Sequence, residues 1–284
     1  MKKISIVHIG TSEWFNYKQE IIFGLYHALR SVGHEVKISH NQLDANSINI
    51  IIGADWLVHD QNFDDIISSK IKYYIFEVEA FDGVTINGRD NFNLTNYIIL
   101  LQHAIGVITP YSYNINTIMQ AKIIPSERLQ YLRWGYFDEL IDSNIVRSQS
   151  REIAGTFFGL LKGERLAKGR ILQEQLGARV AFIGREHPHL YRAAVLANSD
   201  YAVSLAYGFN EKFVNPFRLY FLYANGIRVI ADNITDEDGY LELATRVTFE
   251  QMSEALTSEP VDEKLLIEQA RNNDLKRNIK SISI

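Results

Sequence analysis

Arg218 lies three residues after Asn215 and two after Pro216, in a stretch that ends at Gly226. Asn is a strong N-cap, Pro fits the first helical position, and Gly at the far end supplies the left-handed residue that stops a helix. Arg218 therefore falls in a first turn, where the helix dipole favours anions over cations. Free N–H groups at a helix start bind phosphate, and a guanidinium fork added to them completes a diphosphate cradle. The competing reading is an Arg that reaches solvent or pairs with Glu211.

A second basic turn lies upstream, in Phe157-Phe158-Gly159-Leu160-Leu161-Lys162-Gly163-Glu164-Arg165. Gly159 admits close approach of backbone to phosphate, and Lys162 and Arg165 add charge. The spacing is neither that of a Walker loop nor that of the GxGxxG dinucleotide fingerprint. In a parallel sheet this turn and the loop before Asn215 share the carboxyl edge, so Lys162, Arg165 and Arg218 are expected to converge on one anion. Solvated charges on an ordinary turn are the alternative.

Carboxylates suited to proton transfer cluster elsewhere. Glu79 and Glu77 flank Val78 at the end of an apolar run, Asp82 follows, and Glu13 lies just past the Gly10 turn of the first strand. Two other patterns weigh less. Asp236-Glu237-Asp238 has the letters of a metal-binding DxD but sits in a polar loop, and His187-Pro188-His189 lacks further ligands at metal spacing. No metal site is expected.

The elements that must position these groups follow from periodicity. Short apolar runs at residues 2–9, 35–39, 48–52, 71–78, 106–109 and 129–132 alternate with helical segments, which implies a parallel sheet with helices on both faces. A second α/β set has strands at 154–158, 180–183, 201–205 and 227–230, with helices at 164–176 and 190–198 and closing helices at 249–256 and 262–280. The expected organisation is a first Rossmann-like domain over 1–135, a linker over 136–153, a second Rossmann-like domain over 154–260, and a closing C-terminal helix over 261–284. The fold class is α/β, two Rossmann-like domains whose parallel sheets face a central cleft.

Composition is that of a globular protein: 284 residues, 46% hydrophobic, 22% charged, with a formal net charge of −5. The absence of cysteine excludes disulfides, thiolate metal sites and Cys nucleophiles. No apolar run reaches membrane-spanning length, the N-terminus lacks a signal-peptide core, and a cytoplasmic location is expected. The pI near 5.9 argues against a dedicated nucleic-acid binder. Lys and Arg outnumber Glu between Arg147 and Arg192, so a polyanionic ligand belongs with the second half.

With Arg218, Phe221, Ala224 and Gly226 in the places of an R-x-x-E-x-x-A-x-G pattern, and the Gly159 turn before it, the second half resembles the donor-binding domain of GT-B glycosyltransferases. Phe221 stands where many such families place a ribose-binding Glu; Glu211 is a candidate substitute. The strand Lys72-Tyr73-Tyr74-Ile75-Phe76-Glu77 is similar to that preceding the catalytic carboxylate of phage DNA β-glucosyltransferases, although the aligned position falls near Val78. The resemblance implies transfer of a sugar from a nucleotide-diphosphate sugar to an acceptor hydroxyl. It implies a metal-independent enzyme, inverting in preference to retaining, with no cofactor beyond the donor co-substrate. Its catalytic candidates are Glu79, Glu77 and Glu13, and its donor-binding candidates are Gly159, Lys162, Arg165, Asn215 and Arg218. The acceptor is a glycan, a small molecule, or a hydroxymethylated base in DNA. A non-catalytic nucleotide- or sugar-binding protein and a nucleotide-sugar epimerase are the other readings.

Overall fold

The computed structural model describes residues 1–60, 63–88, 92–184, 187–206, 213–259 and 262–284, with the side chains of residues 14, 16 and 17 excepted. Glu211 and Arg185 lie outside the described residues. The chain forms two compact units, one of residues 1–134 with 274–284, the other of residues 135–273.

The first unit is built on six parallel strands: β1 (Lys3–His8), β2 (Glu35–His40), β3 (Ile48–Ile52), β4 (Tyr73–Phe76), β5 (Gly106–Thr109) and β6 (Leu129–Tyr131). They are ordered β2-β1-β3-β4-β5-β6. Helices α1 (Ser12–Tyr17), α2 (Gln19–Ser31), α3 (Ala54–Leu57), α4 (Phe63–Ser68), α5 (Leu94–His103) and α6 (Ser112–Gln120) connect them. The pairing register places Val7, Ile51, Ile75 and Val107 in one row across the sheet. That row packs on Tyr97, Leu100 and Leu101 of α5 and Ile118 of α6. Strands covered on both faces read as continuous apolar runs, and this is why β3, β4 and β5 were visible as such. The predicted face of α2, Ile21, Leu25, Ala28 and Leu29, is buried.

The second unit has five parallel strands: β7 (Ile153–Phe158), β8 (Val180–Ile183), β9 (Ser199–Ser204), β10 (Arg228–Ala231) and the two-residue β11 (Thr245–Arg246), ordered β11-β10-β9-β7-β8. Its helices are α7 (Gly163–Leu176), α8 (His189–Ala197), α9 (Pro216–Ala224), α10 (Met252–Ala255) and α11 (Glu263–Arg271). Both sheets reverse strand order beside their first strand, between β1 and β3 and between β7 and β9. The carboxyl end of such a switch point is where open α/β sheets bind ligands.

Helix α9 starts and stops as its residues dictate. The Asn215 carboxamide accepts from the Arg218 N–H at 3.0 Å, and Pro216 opens the helix. At the far end Gly226, φ +70°, donates to the Tyr223 carbonyl at 3.1 Å, and Ile227 donates to that of Leu222 at 2.9 Å. These paired bonds are the Schellman arrangement that satisfies terminal carbonyls.

Two expectations differ from the structure. Residues 136–153 read as a linker because they are rich in turn formers and acids, yet Tyr136, Phe137, Leu140 and Ile145 are buried within the second unit. Asn225 anchors them: its Nδ2 donates to the Leu140 carbonyl at 3.0 Å and the Phe221 carbonyl at 2.7 Å, and its Oδ1 accepts from the Asp142 N–H at 2.8 Å. The closing helix expected over 261–284 is likewise two helices, α11 and α12 (Leu275–Asn278). Asp262 caps α11 and Asp274 caps α12, so the Asn-Asn-Asp run at 272–274 ends one helix and begins another. Helix α12 packs against α2 in the first unit.

Asn225→Ala strands a buried carbonyl and an N–H at once, at about 1–3 kcal/mol for each group left unpaired. Urea unfolding should show a loss of about 2–6 kcal/mol, and limited proteolysis should cut first within residues 136–153.

Candidate functional site

In the second unit, β7 ends at Phe158 and turns at Gly159, whose φ of +138° suits glycine. A Cβ there would lie 2.8 Å from Nη2 of Arg218, so the guanidinium occupies the space that the glycine leaves. It also lies over the rings of Phe158 and Phe157, 4.8 and 5.9 Å from their centroids. Arg218, half-buried in the first turn of α9, is thereby brought to the carboxyl end of β7 at the switch point. Asn215 is exposed and acts through its cap.

The other predicted cations divide. Lys162 is exposed, immediately before α7. Arg165 turns inward: Nε donates to the Leu205 carbonyl at 3.1 Å, Nη1 to that of Leu160 at 3.3 Å, and its guanidinium sits 5.4 Å from the Phe157 centroid. It ties the Gly159 turn to the end of β9 and shares an aromatic ring with Arg218. A third guanidinium, Arg192 of α8, lies 4.8 Å from the centroid of Phe221 and 5.5 Å from that of Phe158. Sequence reading counted Arg192 among the basic residues but did not place it here, because only the parallel pairing of β7 with β8 brings α8 beside this turn.

Phe221 is 3% exposed and meets Phe158 edge to face at 6.4 Å between centroids. It is a platform for Arg192 within the core. Its position, where the resemblance led one to look for a ribose-binding carboxylate, faces the inside of the unit.

The weaker motifs resolve into local structure. Both oxygens of Asp236 accept backbone N–H groups, from Tyr240 at 2.8 Å and Leu241 at 2.6 Å. His187 accepts from the Gly184 N–H at 3.0 Å and stacks on Tyr191, while His189 pairs with Asp142 at 2.8 Å. Among the described residues no three His, Asp or Glu side chains gather as a metal site. Of the basic residues between 147 and 192, Arg147 is bonded to Glu263 and Arg151 to Asp200 and Glu263. These charges are internal, which reduces the positive surface offered to a polyanion.

The first unit gathers a separate set at the ends of β1, β3 and β4. Lys18, 5% exposed between α1 and α2, bonds Glu79 at 3.0 Å. The second oxygen of Glu79 accepts from the Asn87 carboxamide. Burial pulls the Lys18 ammonium down, but Glu79, Asp55 and Glu77 together outweigh it and raise its pKa above the usual value. Glu77, 3% exposed, accepts from the Tyr97 hydroxyl and from the Glu79 N–H. Burial drives its carboxyl up to about 8, against the opposing pull of the Tyr97 hydrogen bond. Asp82 is spent on its own turn, accepting from Val84 and from the backbone and hydroxyl of Thr85. Glu13 is exposed in the first turn of α1 and, among the described residues, takes no part in this cluster.

A carboxyl that titrates at about 8 when folded and near 4.5 when unfolded binds more protons in the folded state between those values. Stability from Glu77 is thus fully present below pH 4.5 and falls as pH rises through 8. Glu77→Gln, which imitates the protonated form, should match the wild type in urea unfolding at pH 5 and exceed it at pH 9. Parallel pH curves for the two proteins would contradict this assignment.

No family model and no curated protein matches the chain. Solved structures do. The catalytic domain of starch synthase IV from Arabidopsis thaliana, bound to ADP and acarbose, aligns over 99% of this chain and 97% of its own, at 10% identity and a TM-score of 0.51. A UDP-N-acetylglucosamine 2-epimerase aligns over 99% and 94%, at 12% identity and 0.49, and the wall teichoic acid polymerase TagF over 99% and 84%, at 9% and 0.43. At such identities a likeness speaks for architecture, and the starch synthase domain carries it. Two parallel α/β units, each with its switch point beside the first strand, give this chain the GT-B fold.

Proposed function

We propose that this protein transfers a sugar from a nucleoside-diphosphate sugar to an acceptor hydroxyl. The observation that carries the reading is the Arg218 guanidinium seated on Gly159 at the switch point of the second unit. A diphosphate there meets the Arg218 guanidinium and the exposed ammonium of Lys162. Charge that develops on the leaving diphosphate is stabilised by groups already in place, with Arg165 and Arg192 holding the aromatic bed beneath them.

Glu79 is the group that takes the proton from the attacking hydroxyl. It is part-exposed at a strand end, with a side-chain accessibility of 21%, whereas Glu77 is inside the core and protonated at neutral pH. Direct attack assisted by one carboxylate inverts the anomeric carbon. The same chemistry serves a glycan, a small molecule or a hydroxymethylated DNA base, since each offers a hydroxyl.

Calorimetry with UDP, ADP and GDP tests the donor half. Wild type should bind one of them, and Arg218→Ala should weaken it about 10- to 100-fold, as expected for loss of a hydrogen bond to a charged group. If no nucleoside diphosphate binds the wild type at millimolar concentration, the proposal fails. Glu79→Gln should keep that affinity while release of nucleoside diphosphate from its sugar falls about 100-fold or more. Binding without turnover by the wild type would instead mark a nucleotide-binding protein.

A further inference from the structure

The carboxyl ends of β1 and β2 hold a hydrogen-bonded chain that none of the preceding assignments uses. Nδ1 of His8 and Nδ1 of His40 are 3.2 Å apart. The ring planes differ by only 10°, and the centroids are 5.4 Å apart. The centroid separation exceeds the N–N separation by about two ring radii, so both nitrogens lie near the line between centres. The imidazoles therefore meet edge to edge, nitrogen to nitrogen, and one must donate to the other. Phe15 of α1 closes over both rings, at 5.6 Å to each.

Asn41 decides which one donates. Its Oδ1 accepts from the Gly10 N–H at 2.9 Å and its Nδ2 donates to the Gly10 carbonyl at 2.8 Å, so the carboxamide has one orientation only. Its backbone N–H is fixed as well, on the His8 carbonyl at 2.9 Å. The same Nδ2 lies 3.2 Å from Nε2 of His40. An amide nitrogen offers protons and no lone pair, so Nε2 of His40 must accept, and the proton of neutral His40 is on Nδ1. That proton points at Nδ1 of His8, which leaves His8 its proton on Nε2.

We infer that Asn41, acting through His40, locks the buried His8 as the neutral Nε2–H tautomer, a ring that cannot serve as a proton acceptor at Nε2. The role goes beyond the proposed transfer but rests on it in one respect: it leaves proton acceptance to Glu79. Asn41 and His40 are positioning residues. The charged and titratable groups facing His8 agree with a neutral ring: burial first, then Lys18 and His40, hold its pKa down at about 4. Protonating Nδ1 of His8 would set two N–H groups head to head.

Long-range proton–nitrogen correlation spectra of the full chain labelled with nitrogen-15 histidine read the tautomers directly, with His8→Gln and His40→Gln to assign the signals. At pH 7 the wild type should show His8 with Nδ1 bare and Nε2 protonated, and His40 with the reverse. Asn41→Ala should turn both residues into tautomer mixtures. A His8 that is Nδ1-protonated or charged at pH 7 overturns the inference, as does an Asn41→Ala spectrum identical to wild type. The wild-type spectrum needs no variant to fold. In turnover of any nucleotide sugar the protein accepts, His8→Gln should hold kcat within a few-fold, because a ring that cannot accept a proton is not the base. A loss of about 100-fold or more in His8→Gln, with nucleoside-diphosphate affinity unchanged, would mark His8 as the base and overturn the inference. Failure of nucleotide binding sinks the proposed function and leaves the tautomer result to be judged alone.

Discussion

The second unit depends on a cation filling the space of a missing side chain. Arg218 rests where a Cβ at residue 159 would be, and its guanidinium spreads over the two aromatic residues that end β7. That contact requires glycine at 159, a helix that starts at Pro216, and adjacent strands whose carboxyl ends part at a switch point. Asn215 and Pro216 fix the start, and Asn225 with Gly226 fixes the end. The aromatic bed holds the arginine in place, and a cation over a ring face gains about 0.5–2 kcal/mol. Arg165 and Arg192 on neighbouring rings extend the arrangement into a positively charged turn.

The first unit works under the opposite constraint. It buries charge: Lys18 is paired and Glu77 is neutral. Lys18 is nearly inaccessible but faces Glu79, with Asp55 and Glu77 nearby. Burying an ammonium alone costs several kcal/mol, so this one persists because Glu79 pairs with it. Glu77 meets the same problem by keeping its proton. The division separates two neighbouring carboxyls by environment: one is paired and reaches solvent, the other is neutral and inside. Beside them burial keeps His8 neutral, and the nearby Lys18 ammonium acts in the same direction.

What was legible in the sequence was local or periodic. The caps of α9, the apolar runs of β3 to β5 and the buried face of α2 all follow from neighbouring residues, and they appeared as predicted. The parallel α/β organisation followed from their alternation. What was not legible depends on partners far along the chain. Residues 136–153 look like a linker until Asn225 binds their backbone, and Arg192 looks like one basic residue among several until β8 pairs beside β7. Short α1, α3 and α4 and the two-residue β11 carry too few residues for periodicity to register. Glu77 and Glu79 were chosen as equals, because sequence gives no measure of burial. The His8–His40 pair was not singled out, since its partners sit in different strands and are joined only by register.

The account's central claim is a diphosphate site formed at the Gly159 turn and the start of α9. Its most direct test is a crystal structure of the chain soaked with an intact nucleoside-diphosphate sugar. The account predicts diphosphate oxygens within hydrogen-bond distance of the Arg218 guanidinium at the Gly159 turn, with Lys162 reaching the same phosphates. A nucleotide bound elsewhere in the second unit, with Arg218 remote from its phosphates, would contradict it.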